Sequence, residues 1–140
     1  MSVPREWVQN KAFMVVATDY ILEENSLREL VNAHEQHGSE ITMSLKECPL
    51  EELSARSSVL VDLDWRVKRI IEKPERHEIL SPYAASVMFI FPPAIWEYLP
   101  RVVPSSRGEI ELQSAVEMMI ADGFNTYGLL QSAPEEWDAI

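Results

Sequence analysis

An α/β fold, with a mixed β-sheet flanked by helices in a three-layer arrangement, is the class this chain predicts, on three observations. Short apolar runs with β-branched centres recur along it. Stretches with a helical apolar period stand between several of them. Gly38, Pro74, Pro92, Pro93 and Gly123 fall at the ends of these runs. Strands that alternate with helices in this way build layered α/β domains. The 140 residues are enough for a single domain over 1–140, because a chain of this size buries roughly two-thirds of its unfolded surface. An apolar fraction of 46% with 25% charged residues excludes the disordered and collagen-like classes.

The elements follow in order. Residues 13–18 form a continuous apolar run, read as a strand buried on both faces. Ser26 and Glu29 make an S-x-x-E capping box. The helix behind it turns Leu27, Leu30, Val31 and Ala33 or His34 inward, and Gly38 stops it. Ile41, Met43 and Leu45 alternate with polar residues, which predicts a strand with one solvated face. This strand–helix–strand order makes the first two strands parallel. Residues 48–58 read as polar and irregular. Residues 59–61 and 67–73 read as two strands joined by a hairpin loop over 62–66, and Pro74, lacking an N–H, ends the second. A polar loop spans 75–82. Residues 83–91 form a strand, and Pro93 opens a short helix over 94–99. After a loop over 101–108, a helix over 109–122 turns Ile110, Leu112, Ala115, Val116, Met119 and Ile120 inward. Gly123 closes it, and residues 126–130 are the last strand.

Charge and cysteine usage limit the function. A formal net charge of −11 argues against nucleic acid and anionic membrane surfaces as partners. It leaves room for a phosphorylated small molecule, since a few local cations or a metal reverse the sign within one pocket. Cys48 is the one cysteine, so neither an internal disulfide nor a thiolate metal cluster is expected, and a cytoplasmic location fits. No run of about 18 apolar residues predicts a membrane span. The first ten residues lack the apolar core of a signal peptide.

Several residues carry possible chemistry. Asp19 follows the first strand, where open α/β sheets bind ligands, and a carboxylate there suits Mg²⁺. On position alone it reads first as a turn-forming aspartate. Glu72 and Lys73 close a strand on opposite faces: the lysine suits a phosphate, the glutamate suits hydroxyl donors, and by themselves both read as solvated charges. Glu109 and Glu111 open the long helix, where the helix dipole alone accounts for them. His34 and His37 are three apart on a helix but have no third ligand. Trp7, Trp65, Trp96 and Trp137 read as packing residues.

The order of these signals is more specific than any one of them. A strand ending in an acid, the E-K-P of Glu72 to Pro74, the Tyr83-to-Phe89 strand, the R-G-E-x-E of Arg107 to Glu111 and the W-x-x-I of Trp137 to Ile140 occur in sequence. In this the chain resembles the sugar-phosphate nucleotidyltransferases, over residues 13–140. That resemblance implies an incomplete nucleotide-diphospho-sugar transferase fold. It also implies a reaction in which a sugar 1-phosphate attacks the α-phosphorus of a nucleoside triphosphate and releases pyrophosphate. Mg²⁺ on two aspartates offsets the charge, the first of them Asp19. Glu72, Lys73 and Glu109 face the sugar and its phosphate, so the resemblance makes Asp19 and Lys73 catalytic.

The departures carry expectations of their own. The glycine-rich G-x-G-x-R loop that grips the triphosphate has no counterpart among the four glycines, Gly38, Gly108, Gly123 and Gly128. The chain is therefore expected not to turn over substrate alone. It would serve as a regulatory or sugar-phosphate-binding module, or be completed by a chain supplying the nucleotide half. Ser58, Trp65 and Val87 stand where the family has glycines, and Ser58 and Val87 should narrow the sugar pocket. At the second metal aspartate Trp137 and Ile140 align Ala139, which leaves Asp138 one residue early and so on the opposite strand face. Residues 13–18 are expected to form an exposed edge that a second copy covers, unless the residues through Trp7 fold back over it.

Overall fold

The computed structural model describes residues 11–16, 20–21, 24–79, 81–104, 108, 111–131 and 137–138, with the backbone alone at 20–21, 87 and 137–138. Eight strands are described: β1 (Phe13–Val16), β2 (Tyr20–Ile21), β3 (Ile41–Glu47), β4 (Ser57–Val61), β5 (Val67–Glu72), β6 (Tyr83–Phe91), β7 (Thr126–Leu130) and β8 (Trp137–Asp138). The α-helices are α1 (Glu24–His37), α2 (Leu50–Leu53), α3 (Ile95–Tyr98) and α4 (Leu112–Ala121), with 3₁₀ turns at Arg76–Glu78 and Leu99–Arg101. The main sheet has the order β1-β6-β3-β7, β2 pairs with β8, and β4 pairs with β5.

The side-chain alternation of the sheet produces three layers. Met88 and Ile90 of β6 join Met14 and Val16 of β1 against Leu27 and Leu30 of α1. On the opposite face Phe89, Phe91, Ile41, Met43 and Leu45 pack with Val59, Val67 and Ile70 of the β4–β5 ribbon and with Ala115, Val116 and Met119 of α4. The expected fold class is therefore the observed one. Leu30 and Ala33 are the buried residues of α1, whereas Val31 is 39% exposed.

Two expectations are refined and three are corrected. The first two long strands, β1 and β3, run in the same direction but do not pair, because β6 lies between them antiparallel to both; the parallel pair is β3 with β7. β1 is the outermost described strand of the main sheet; Phe13 and Val15 pack on one of its faces and Met14 and Val16 on the other, but all four are only half-buried. β3 has no solvated face. Thr42 and Ser44 are both fully buried, since α1 covers that side and supplies polar partners. The Thr42 hydroxyl lies 2.7 Å from His34 Nδ1 and 2.7 Å from Ser39 Oγ. Ser44 donates to Gln131 at 2.6 Å, and Gln131 donates onward to the Ser26 carbonyl at 2.9 Å. Buried hydroxyls are tolerated when paired in this way. Finally, residues 48–58 contain α2 and the start of β4, and Ser26 lies inside α1 instead of capping it.

Serine hydroxyls tie β4 to β6 and to Ser81 just before it. Ser57 Oγ accepts from the Ala85 N–H at 2.9 Å. Ser58 Oγ accepts from the Ser81 N–H at 3.1 Å and donates to its carbonyl at 3.2 Å. Ser81 Oγ in turn donates to the Val59 carbonyl. Ser58, standing where the family has a glycine, is fully buried in this contact.

Candidate functional site

The β4–β5 ribbon carries the two sequence-selected residues that the structure describes in full. Val67–Glu72 pairs antiparallel with Ser57–Val61, and Ser57 lies opposite Glu72. The next residue, Lys73, donates its N–H to the Arg56 carbonyl at 2.7 Å and turns at φ 45°. A side chain at positive φ is strained, and such strain is concentrated at functional sites. Pro74 follows and stops the strand. Lys73 is exposed while Glu72 is half-buried.

Glu72 points towards α4. With Ile70, Gln113, Ser114 and Glu117 it lines a depression of about 150 Å³. Its Oε2 atom is buried and has no hydrogen-bond partner among the described residues. Burial pushes its carboxyl up to about 7, the Glu111 carboxylate adds to the rise, and Lys73 offsets part of it. An uncharged carboxyl near neutral pH both donates and accepts hydrogen bonds, which suits a hydroxyl-bearing ligand. Glu111 holds the N-cap position of α4 yet makes no side-chain cap bond; its charge acts on Glu72 instead.

The rise at Glu72 has a stability consequence. Between pH 4.5, the ordinary glutamate value, and about 7 the folded state holds a proton that the unfolded state has lost. Stability contributed by the protonated form is therefore complete below that window and is lost as pH rises through it. Glu72→Gln keeps the shape and removes the titration. It is expected to stabilise the fold by about 1–2 kcal/mol near pH 8, after discounting for the part of the group open to solvent, and by almost nothing near pH 4. Urea unfolding at both pH values measures this, and a variant equal to the wild type at pH 8 refutes it.

Of the other selected residues, Asp19 and Glu109 lie outside the described residues. Asp138 is in β8, where its backbone pairs with Tyr20 and Trp137 pairs with Ile21. The residue that follows Asp19 in the chain is thus opposite Asp138. No group of three or more His, Cys, Asp or Glu placed to hold a metal occurs among the described residues. His34 is engaged with Thr42, and the His37 ring stacks on Tyr127 with centroids 3.9 Å apart. Sequence reasoning missed two residues here. Glu111 was accounted for by the helix dipole, and Glu117 carries no motif.

The glycine replacements are visible in the backbone. Trp65 adopts φ 63°, a conformation that favours glycine, and its ring packs 5.3 Å from Tyr83. Val87 falls at an irregularity: Met43 pairs with Phe89 and Leu45 with Ala85, so one residue of β3 faces three of β6. Bulges of this kind are frequent next to active sites.

The fold and this strand-end site define a nucleotide-diphospho-sugar transferase type of domain. Solved structures with the same architecture include a UDP-glucose pyrophosphorylase complexed with UDP-glucose, with a TM-score of 0.81 and 20% identity over 97% of this chain and 53% of that one. The UTP-bound UGPase of Acinetobacter baumannii superposes with a TM-score of 0.78 at 16% identity, over 97% of this chain and 48% of that one. The sequence model of the family described as Nucleotidyl transferase matches residues 3–138, and the chain belongs to that family. Among its relatives, the UTP–glucose-1-phosphate uridylyltransferase of Staphylococcus haemolyticus is 28% identical over 84% of this chain and 43% of that protein. The UTP–glucose-1-phosphate uridylyltransferase AglF of Haloferax volcanii is 31% identical over 79% of this chain and 44% of that protein. The chain is related to sugar-1-phosphate nucleotidyltransferases and spans less than half the length of these relatives. Among the described residues no helix is long and apolar enough to cross a membrane.

Proposed function

We propose that this chain is the sugar-phosphate-binding portion of a sugar-1-phosphate nucleotidyltransferase and that the 140 residues alone do not turn over substrate. The observation that carries the reading is the buried Oε2 atom of Glu72, without a hydrogen-bond partner among the described residues, in a depression beside α4 and directly before the strained Lys73. In this reading Glu72 and Glu109 meet sugar hydroxyls and Lys73 meets the phosphate. Hexose 1-phosphates are the substrate class, by analogy with the named activities of the relatives. Asp19 and Asp138 supply hard oxygen donors for Mg²⁺, which would offset charge at the reacting phosphates.

The absence of turnover follows from charge. A triphosphate needs a cradle of backbone N–H groups or cations, and none of the four glycines lies in a G-x-G-x-R motif. A non-catalytic sugar-phosphate-binding or regulatory module is one form of this reading. A second form is half of an enzyme completed elsewhere, favoured by coverage of only 43% of a relative. The partner is then a polypeptide carrying the glycine-rich loop, and the outer position of β1 offers an edge to it or to a second copy.

The test is pyrophosphate release from UTP or dTTP with glucose 1-phosphate and Mg²⁺. The chain alone is expected to show none. Addition of a polypeptide bearing the loop is expected to restore turnover if the enzyme is divided. Turnover by the isolated chain at about 1 s⁻¹ or more, the ordinary enzyme range, overturns the reading. So does failure of glucose 1-phosphate to shift the amide resonances of Glu72 and Lys73.

A further inference from the structure

Among the described residues β5 has a strand partner on one edge only. Its other edge faces α4, so the Ile70 N–H there has no ladder carbonyl to bond. Glu117, in the middle of α4, supplies the acceptor: Ile70 N donates to Oε2 at 2.6 Å. The same carboxylate accepts from Arg69 Nε at 2.5 Å through Oε1. Both oxygens of one side chain thus bind two consecutive residues of β5. Side chains two apart on a strand share a face, and Ile70, Glu72 and Glu117 line one depression together with Gln113 and Ser114 from the first turn of α4. The clamp is the only described hydrogen-bonded tie that α4 makes to the strand carrying Glu72.

We propose that Glu117 is a positioning residue: it holds the end of β5 against α4 and so sets the place of the Glu72 carboxyl in the ligand depression. A carboxylate bonded to a backbone N–H and to a guanidinium is well suited to this, because charge-assisted bonds are short and directional. A backbone N–H at a sheet edge would otherwise bond water, and water at Ile70 would separate strand from helix. The ligand part of the proposal rests on the sugar-phosphate reading above. The positioning part does not.

Two neutral variants separate position from charge. Glu117→Gln removes the charge and keeps a carbonyl oxygen for the Ile70 N–H. Glu117→Ala removes both. Among the described residues the groups whose charge bears on Glu72 are Glu111 and Lys73, and neither variant alters them. The measurement is the titration of the Glu72 side-chain carboxyl by carbon NMR, alongside binding of glucose 1-phosphate. In Glu117→Ala the cleft opens to water, and the Glu72 midpoint falls from about 7 towards the ordinary glutamate range. Glu117→Gln keeps it close to wild type. Binding weakens roughly tenfold in the alanine variant, the scale found for residues that orient a site from behind, and about threefold or less in the glutamine variant. Should the alanine chain not fold, Glu117→Asp, one methylene too short to span the gap, replaces it and gives the same fall. Equal midpoints in the glutamine and alanine variants, whether both low or both unchanged, overturn the proposal. A wild-type chain that binds no glucose 1-phosphate overturns the sugar-phosphate reading instead, and the titration still decides the role of Glu117.

Discussion

Gly128→Val is expected to destabilise the fold by about 3 kcal/mol or more, at the top of the usual range for overpacking, and to lower the thermal midpoint by about 10 °C. A β-carbon at Gly128 meets Leu45 Cδ1 at 2.6 Å, Val67 Cγ2 at 3.2 Å and Leu45 Cγ at 3.3 Å. Leu45 is fully buried and Val67 is 3% exposed, so neither has room to retreat. The backbone is held on both sides as well. Gly128 pairs with Met43 of β3, and its N–H bonds the Trp65 carbonyl at 2.9 Å. Here the hairpin loop docks on the main sheet, with Arg66 bridged to Tyr127. The requirement for glycine is therefore one of space, not of backbone conformation. Urea unfolding of the variant gives the answer, and a loss under about 1 kcal/mol contradicts the packing described.

Phe91→Ala is expected to cost about 4 kcal/mol, within the range for deleting a buried phenyl ring. Phe91 is fully buried at the end of β6, stacked on Phe89 at 5.4 Å and tilted against Phe13 at 6.2 Å. Phe13, its cross-strand partner on the outer strand, is only half-buried and stacks on Trp96 at 5.2 Å. Phe13→Ala is therefore expected to cost about half as much, because less of its ring leaves water on folding. Denaturant midpoints of the two variants provide the comparison. Equal losses mean that β1 is as deeply covered as β6.

The two halves of the candidate site differed in how far they could be read in advance. Glu72 was legible because a strand-closing proline fixes where the strand ends, whereas alternation does not place Lys73, since β5 stops at Glu72 and Lys73 turns at φ 45°. Glu111 and Glu117 were not legible. Acids at the start and on the side of a helix are accounted for by the dipole and by solvation. Only the approach of α4 to β5 turns one of them into a neighbour of Glu72 and the other into a clamp. Trp65 shows the same division. Its place in a hairpin was readable from Asp62 to Arg66, whereas its φ of 63° depends on how that loop closes: Asp62 Oδ1 accepts from the Asp64 and Arg66 N–H groups at 2.8 and 2.9 Å. These backbone bonds, the Arg66 one foremost, hold the Asp62 carboxyl below its ordinary range.

By itself the sequence determined the α/β class, the β4–β5 hairpin, the extents of β6 and β7, the inward face of α4 and the family. Each of these rests on local periodicity, on residues that end an element, or on motif order along the chain. The tertiary structure alone decided that β6 separates β1 from β3, that α1 buries Thr42 and Ser44, and that β1 lies outermost among the described strands of the main sheet. It also decided that Glu72 shares a depression with Glu117. Strand order and the covering of a face depend on contacts between residues far apart in the chain, and periodicity along the chain reports a side chain's direction but not what it meets there.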